Sequence, residues 1–517
     1  MRLIDWFQKG MQRAAHEPAF VGENSSLTYA EVDRRAREIA SAMKSQGLGE
    51  GVKAAVYSPN DARAFGCIIG IFYAGGVWLP ANARNTVAAN VHFLSMTECQ
   101  VLFYHSQFEQ QALDLRRQVP TLKVLICMDG QGSDGTFSMD DFVALGDGSL
   151  PEVPDDPDRI ATIFPTGGTT GLSKGAQWSH RTWEALIGAY WLCMPGEERP
   201  VHLVAGPMTH AAGGLALMMV PGGATNVVLP KADPELIMQA IDRHKVTHIY
   251  LPPTVLYMML SHPNVRKYDY SSLRYFVLAA APVSPDKLRE AMAVFGPVMC
   301  QSYGQAEAPM FLTFLSSRDL QQAGSNEGAR RLSSCGRTTL NVRVEIMSEE
   351  GALLAPGERG EIVAQGSLVF PGYYQNPDAT AEASRFGWHH TGDIGYRDEE
   401  GFIYIVDRKK DMIVTGGFNV FSAEVEQSIM AHPAVRECAV VGVPDPKWGE
   451  AVKAIVELRD DASVDAETLI ALVKKDLGGV HAPKTVEFWK TLPRNGNGKV
   501  LKRDIREQFW SGQDRAV

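Results

Sequence analysis

Between Val32 and Met43 the apolar residues Val32, Ala36, Ile39, Ala40 and Met43 recur three and four positions apart, which is the period of a helix with one buried face. Thr28 and Glu31 precede them with the spacing of a capping box. Short apolar runs then alternate with helical stretches. Val52 to Tyr57 predicts a strand, Ala62 to Ala74 a helix ended by Gly75-Gly76, residues 88–95 a helix and Val101 to Tyr104 a strand. The alternation resumes with strands at 160–164, 201–205, 247–251, 275–278 and 298–301, and with helices from about Trp183 and over 234–244, 254–260 and 285–295. Such a pattern predicts parallel sheets covered by helices. From Val342 the texture turns to β, with runs at 342–347, 360–363 and 402–406. The end of the chain, with helices over 423–430 and 466–476 and strands at 437–443, 451–457 and 485–488, reads as a small α+β unit. Asp407-Arg-Lys-Lys-Asp411 is the densest charge cluster and lies between two β-like segments, where a linker is expected. It divides the chain into a large domain, 1–407, and a small one, 408–517.

A length of 517 residues exceeds one ordinary core and agrees with two domains. Fifty basic and 60 acidic residues give a formal net charge of -10 with no long basic run, so the charge favours no nucleic-acid or anionic-membrane partner. Seven widely spaced cysteines contain no C-x-x-C pair and predict isolated core thiols in a reducing compartment. No apolar run reaches membrane-spanning length, and the amphipathic start of the chain has no signal-peptide core. A cytoplasmic enzyme without integral membrane association is the expectation.

Chemistry concentrates at Thr166-Gly-Gly-Thr-Thr-Gly-Leu-Ser-Lys-Gly175, directly after the strand at 160–164. Glycines let backbone N–H groups approach a polyphosphate, hydroxyls donate to its oxygens, and a lysine adds mobile positive charge. The spacing is neither the P-loop pattern nor the dinucleotide G-x-G-x-x-G fingerprint, and a ligand-free surface loop remains an alternative. The order strand, phosphate loop, helix is the reading. Ser302-Tyr-Gly-Gln-Ala-Glu307 brings an aromatic ring and a carboxylate to a strand end, suited to stacking on a base and to holding Mg²⁺ beside phosphates, with an ordinary turn as the other reading. Pro371-Gly-Tyr-Tyr374 and Trp388-His-His-Thr-Gly-Asp393 read as polar, aromatic loops, and Pro493-Arg-Asn-Gly-Asn-Gly-Lys499 as a basic loop after the last strand.

Together and in this order, the motifs closely resemble the AMP-forming acyl-CoA synthetases of the adenylate-forming superfamily, over essentially the whole chain. The resemblance implies a large multi-subdomain region of layered parallel and mixed sheets with a distorted barrel-like part, followed by a mobile α+β domain. It implies that Thr166, Gly168, Thr169, Thr170, Gly171 and Lys174 hold the phosphates of ATP, and that Ala281, Tyr303 and Gly304 border adenine. Glu307 would bind Mg²⁺, while Asp393 and Arg408 would serve the ribose side. Lys499 corresponds to the adenylation lysine and Lys410 to the hinge. Gly416, Gly417 and Phe418 match the segment lining the pantetheine path of CoA. His210, Gly213, Gly214 and Tyr250 fall around the acyl site, where the two glycines and the apolar run after them are read as leaving a tunnel for an aliphatic acid and His210 with Tyr250 as flanking an aromatic one. This sequence departs from the family at Gly167, Ser173 and Ala306, where serine, proline and threonine are usual. The implied reaction joins a carboxylic acid, with a medium-sized apolar acid favoured, to CoA through an acyl-adenylate. A separate acyl carrier protein as acceptor, a homodimer, and a non-catalytic nucleotide-binding relative are the alternatives.

Overall fold

The structure is a computed structural model describing residues 1–510 except 24, 167–172, 197, 282, 323–327 and 495–499. The first predicted helix forms over Tyr29–Ser45 and buries all five periodic residues, Val32, Ala36, Ile39, Ala40 and Met43. Its capping box is closed, with the Thr28 N–H donating to Glu31 Oε2 at 2.8 Å and the Glu31 N–H to Thr28 Oγ1 at 3.3 Å. Helix Ala62–Tyr73 packs against it so closely that a Cβ at Gly70 would lie 2.8 Å from Ile39 Cγ2.

Contacts divide the described residues into two compact units, one comprising 1–166, 173–344 and 364–389, the other 345–363 and 390–510. One sheet of the first unit runs Phe137–Ser138, Val124–Cys127, Val101–Tyr104, Lys53–Tyr57, Val77–Pro80, Ile160–Pro165 and Gly175–Ser179, parallel except at the last pair. A second takes Met299–Gln305, Tyr275–Leu278, His248–Leu251, Val201–Val204, Thr225–Val228 and Pro18–Val21 in parallel, with antiparallel strands at its margins. Alternating strands and helices produce this because each strand is covered on both faces.

Two elements of the first unit's sheets differ from the sequence reading. The chain after the phosphate-loop candidate is an antiparallel strand, Gly175–Ser179, pairing Pro165 with Gly175 and Phe164 with Ala176, before the helix His180–Cys193 begins on a Ser179 cap. The candidate loop therefore links two paired strands, because ladder pairing outweighs the polar look of Gln177 and Ser179. The strand Met299–Gln305 likewise turns back at once into Ala308–Leu315, an apolar run that the alternation of strand and helix had hidden. Gly304 permits the turn, since a Cβ there would meet the Met310 nitrogen at 2.3 Å.

His389–Arg397, whose residues from His390 on belong to the second unit, and Phe402–Arg408 form an antiparallel pair, so the loop expected around Asp393 is a strand. Strands Ile413–Thr415, Phe418–Val420, Val435–Asp445, Gly449–Leu458 and Thr485–Phe488 make a further sheet. Helices Ser422–Met430 and Ala466–Leu477 contribute Val425, Ile429, Leu469 and Val473 to one core of this sheet, and Ile505 of helix Lys502–Trp510 joins another. Among the described residues no helix is long and apolar enough to cross a membrane. All seven cysteines are free thiols.

Candidate active site

In the first unit the candidate groups meet through a residue that the sequence reading left in a loop. The Tyr373 hydroxyl donates to Glu307 Oε1 at 2.7 Å, and Lys174 Nζ stands 4.6 Å from the centre of the same phenol ring. One aromatic ring thus joins the exit of the phosphate-loop segment to the strand-end carboxylate. Burial, reinforced by the Glu307 charge, pushes the Tyr373 hydroxyl well above its ordinary value and keeps it a donor.

Backbone bonds set this arrangement. The Phe370 N–H donates to the Glu307 carbonyl at 2.8 Å, and Trp178 Nε1 donates to the Ala306 carbonyl at 2.6 Å. The Gln177 N–H reaches Gly372 O at 3.1 Å and the Tyr374 N–H reaches Gly175 O at 2.8 Å, so segment 370–374 lies along the strand that follows the loop. The base of the loop is closed by Thr166 N to Lys174 O at 2.8 Å, by Lys174 N to Thr166 Oγ1 at 3.1 Å, and by Ser173 Oγ to Thr166 O at 2.9 Å. A serine in the place of the usual proline thus supplies a hydrogen bond across that base. Gly168, Thr169, Thr170 and Gly171 lie outside the described residues.

Tyr303 and Gly304 are carried on the end of strand Met299–Gln305. Directly before them, Gln301 Nε2 and Ser302 Oγ are buried without a hydrogen-bond partner, two orphaned polar atoms of the kind a bound polar ligand satisfies. Ala281 is exposed, and its neighbour Ala280 has a φ of 72°, a left-handed conformation that favours glycine. Mg²⁺ takes one or two carboxylates together with substrate phosphates and waters, and the single carboxylate of Glu307 beside a phosphate-type loop fits that donor set.

Around the expected acyl site both glycines have close neighbours. A Cβ at Gly213 would strike Met208 O at 1.8 Å, and one at Gly214 would touch Trp183 and Phe164 at 3.5 and 3.9 Å. Both glycines admit close neighbours. Phe164 stacks on Trp178 at 4.0 Å and tilts against His210 at 5.8 Å. His210 Nδ1 is buried without a partner, and burial lowers the ring to about 4, so the imidazole is neutral near pH 7. Tyr250 sits in strand His248–Leu251, where burial raises its hydroxyl to about 12. Among the described residues no ring contact joins Tyr250 to His210.

In the second unit, strand pairing sets Asp393 opposite Arg408, with Arg408 Nε 2.7 Å from the Asp393 carboxylate. Asp393 is only 2% exposed, and its N–H donates to Thr391 Oγ1 at 3.1 Å. The Gly392 N–H donates to Glu361 Oε1 at 3.1 Å, while Glu361 Oε2 lies 3.1 Å from both Lys409 Nζ and His390 Nδ1. Burial alone would raise Glu361, but His390 and Lys409 outweigh it and hold the carboxylate below its ordinary range. Sequence spacing offered no signal for this group, since Glu361 precedes its partners by some thirty residues or more.

Lys410 belongs to a short 3-10 turn, Lys409–Asp411. Gly416 and Gly417 form the turn between Ile413–Thr415 and Phe418–Val420 with φ of 57° and 85°, and a Cβ on Gly416 would enter the Trp448 ring at 2.5 Å. That turn leaves Phe418 60% exposed. Lys499 lies outside the described residues. The chain on either side of it pairs, with Leu501 N donating to Pro493 O at 2.9 Å and Arg494 bridged to Val500.

Two family models match the chain, "AMP-binding enzyme" over residues 7–374 and "AMP-binding enzyme C-terminal domain" over 424–499. The chain is 35% identical over 529 aligned residues to a medium/long-chain-fatty-acid–CoA ligase of Mycobacterium tuberculosis, covering 98% of this chain and 90% of that protein. It is 32% identical to a feruloyl-CoA synthase of an Amycolatopsis species, covering 98% and 99%. Among solved structures, ATP-bound MatB from Rhodopseudomonas palustris superposes with a TM-score of 0.86 at 28% identity, covering 98% and 99%.

Proposed function

The chain belongs to the AMP-binding enzyme family, and on that premise we propose that its acid substrate is apolar and of medium size. The protein is an AMP-forming acid–thiol ligase. It activates a carboxylic acid with ATP to an acyl-adenylate and transfers the acyl group to CoA. In the first step a carboxylate oxygen bonds to the α-phosphorus and pyrophosphate leaves. In the second the CoA sulfur bonds to the acyl carbon, the carbon–oxygen bond to AMP breaks, and the thiol proton passes to solvent.

The observation that carries this reading at residue level is the contact chain Lys174, Tyr373, Glu307. It supports a division of labour in which Lys174, Thr166, Thr169 and Thr170 hold phosphate oxygens and Glu307 holds Mg²⁺, with Tyr373 fixing the carboxylate's orientation. Bound Mg²⁺ would supply charge neutralisation to the phosphates. Asp393, tied to Arg408, presents carboxylate oxygens suited to a ribose diol. Lys499 serves adenylation, and Gly416, Gly417 and Phe418 serve the thiol step after residues 408–517 turn about Lys410. No residue acts as a covalent nucleophile. The acid preference rests on the aromatic packing of Phe164, Trp178 and His210 beside Gly214, which favours a compact apolar group over a long chain.

The test is product detection by mass spectrometry across aliphatic and aromatic acids with ATP, Mg²⁺ and CoA, with AMP and pyrophosphate measured in parallel. A medium-sized apolar acid giving the highest acyl-CoA yield is expected. A preference for long-chain acids would overturn the acid assignment, and acyl-adenylate without acyl-CoA would move the acceptor to a carrier protein.

A further inference from the structure

A chain of charged contacts in the second unit brackets the turn that contains Lys410. Lys502 Nζ lies 2.7 Å from Glu426 Oε1 and donates to Ser422 Oγ at 2.8 Å. The Ser422 hydroxyl donates in turn to Asp407 Oδ2 at 2.8 Å, and the Ala423 N–H reaches the same oxygen at 3.3 Å. One helical turn beyond Lys502, Arg506 Nη2 binds Asp411 Oδ1 at 2.6 Å. Ser422 and Glu426 share one helix face, and Lys502 and Arg506 share another, each pair four residues apart.

The two carboxylates differ in one respect that matters for a rotation. Asp407 precedes Lys410 in the chain, whereas Asp411 follows it. If residues 408–517 turn about Lys410, Arg506 and Asp411 travel together and keep their bond. Ser422 and Lys502 travel as well, but Asp407 stays behind. The Asp407 contact is therefore made in one orientation and broken in another.

We propose that Ser422, held by Lys502, is a positioning residue that latches the small domain to Asp407 across the Lys410 hinge and so sets the balance between the two half-reactions. This rests on the functional reading above, which supplies the hinge. The chemistry suits a reversible latch. Glu426 pairs Lys502 whether or not Asp407 is engaged, so release costs one hydroxyl bond and one backbone bond rather than an unpaired buried cation.

The experiment compares the full-length chain with Ser422→Ala, Asp407→Asn and Arg506→Met, measuring acyl-adenylate formation and thioester formation from supplied acyl-adenylate separately. Ser422→Ala and Asp407→Asn are expected to change the ratio of the two rates by roughly 2- to 10-fold, the scale of one net hydrogen bond. Arg506→Met is expected to lower the unfolding midpoint and leave the ratio unchanged, since its contact lies wholly on one side of the hinge. A ratio unchanged in both Ser422→Ala and Asp407→Asn, with the parent active in both steps, would overturn the latch alone. A parent active in neither step would overturn the functional reading and the latch with it.

Discussion

The buried histidines of the first unit and the buried carboxylates beside Lys502 in the second are handled in opposite ways. In the first, His180, His202 and His210 are each lowered to about 4 and His248 to about 3, all chiefly by burial, so the imidazoles are neutral near pH 7. His202 shares a 3.0 Å hydrogen bond with Asn226, and His180 Nδ1 accepts from the Leu3 N–H. The second unit keeps charges and pairs them. Burial raises Glu426 to about 7, opposed by Lys502, and raises Asp407, while Asp411 is held below its ordinary range because Lys502 and Arg506 outweigh its burial. A neutral group packed in a core gains nothing from rearranging. A charged pair can exchange one partner for another or for water, so the unit built on such pairs is suited to contacts that open and close.

The largest way to sharpen this contrast is to remove one functional group from each unit. Lys499→Ala, in the second, is expected to slow adenylation by about 10²–10³-fold while sparing thioester formation from supplied acyl-adenylate. Glu307→Gln, in the first, is expected to raise the Mg²⁺ concentration needed for adenylation and to slow that step by about 10²-fold. Stopped assays of each half-reaction check both, and equal loss of both steps in Lys499→Ala would erase the distinction.

Next in size is the response to pH. A histidine with a native value near 4 and an unfolded value of 6.5 binds fewer protons when folded, so stability rises with pH across that interval and is lost as pH falls from about 6.5 to 4. Glu426 behaves in reverse, because a native value of about 7 against 4.5 unfolded makes its contribution largest at low pH and removes it as pH rises through 7. Hydrogen exchange followed from pH 4 to 8 should therefore show the amides of 202–251 losing protection toward acid. Glu426→Gln should flatten the dependence of the amides of 425–456 between pH 4.5 and 7. Identical profiles in the two units would break the comparison.

A smaller effect is expected from Tyr373→Phe, which deletes the 2.7 Å bond to Glu307 and keeps the ring under Lys174. The loss in kcat/KM for ATP should be about tenfold, the low end for one hydrogen bond to a charged group. Smallest is Ala280→Gly. It relieves a left-handed alanine on the surface and is expected to stabilise the first unit by about 0.5–1 kcal/mol in denaturant melts, with no change at any charged group.

Hydrophobic period and motif order, both local properties of the chain, were enough to predict the helix Tyr29–Ser45 with its cap, the alternating strands and helices, the β-rich section after Val342, the small α+β end and the family resemblance. The sequence by itself also marked Glu307 and Lys174 as candidates from their residue types and surroundings, and Asp393 and Arg408 through the family resemblance. Only the tertiary structure joined Tyr373 to Glu307, set His390 and Lys409 on Glu361, and brought Lys502 to Ser422 and Asp407. It also set a carbonyl against Gly213 and two aromatic rings against Gly214. The division has one physical reason. Helical period and capping act over three or four residues and are written in adjacent positions, whereas a hydrogen bond or a packing contact between residues tens of positions apart depends on strand register and sheet order, which no local pattern encodes.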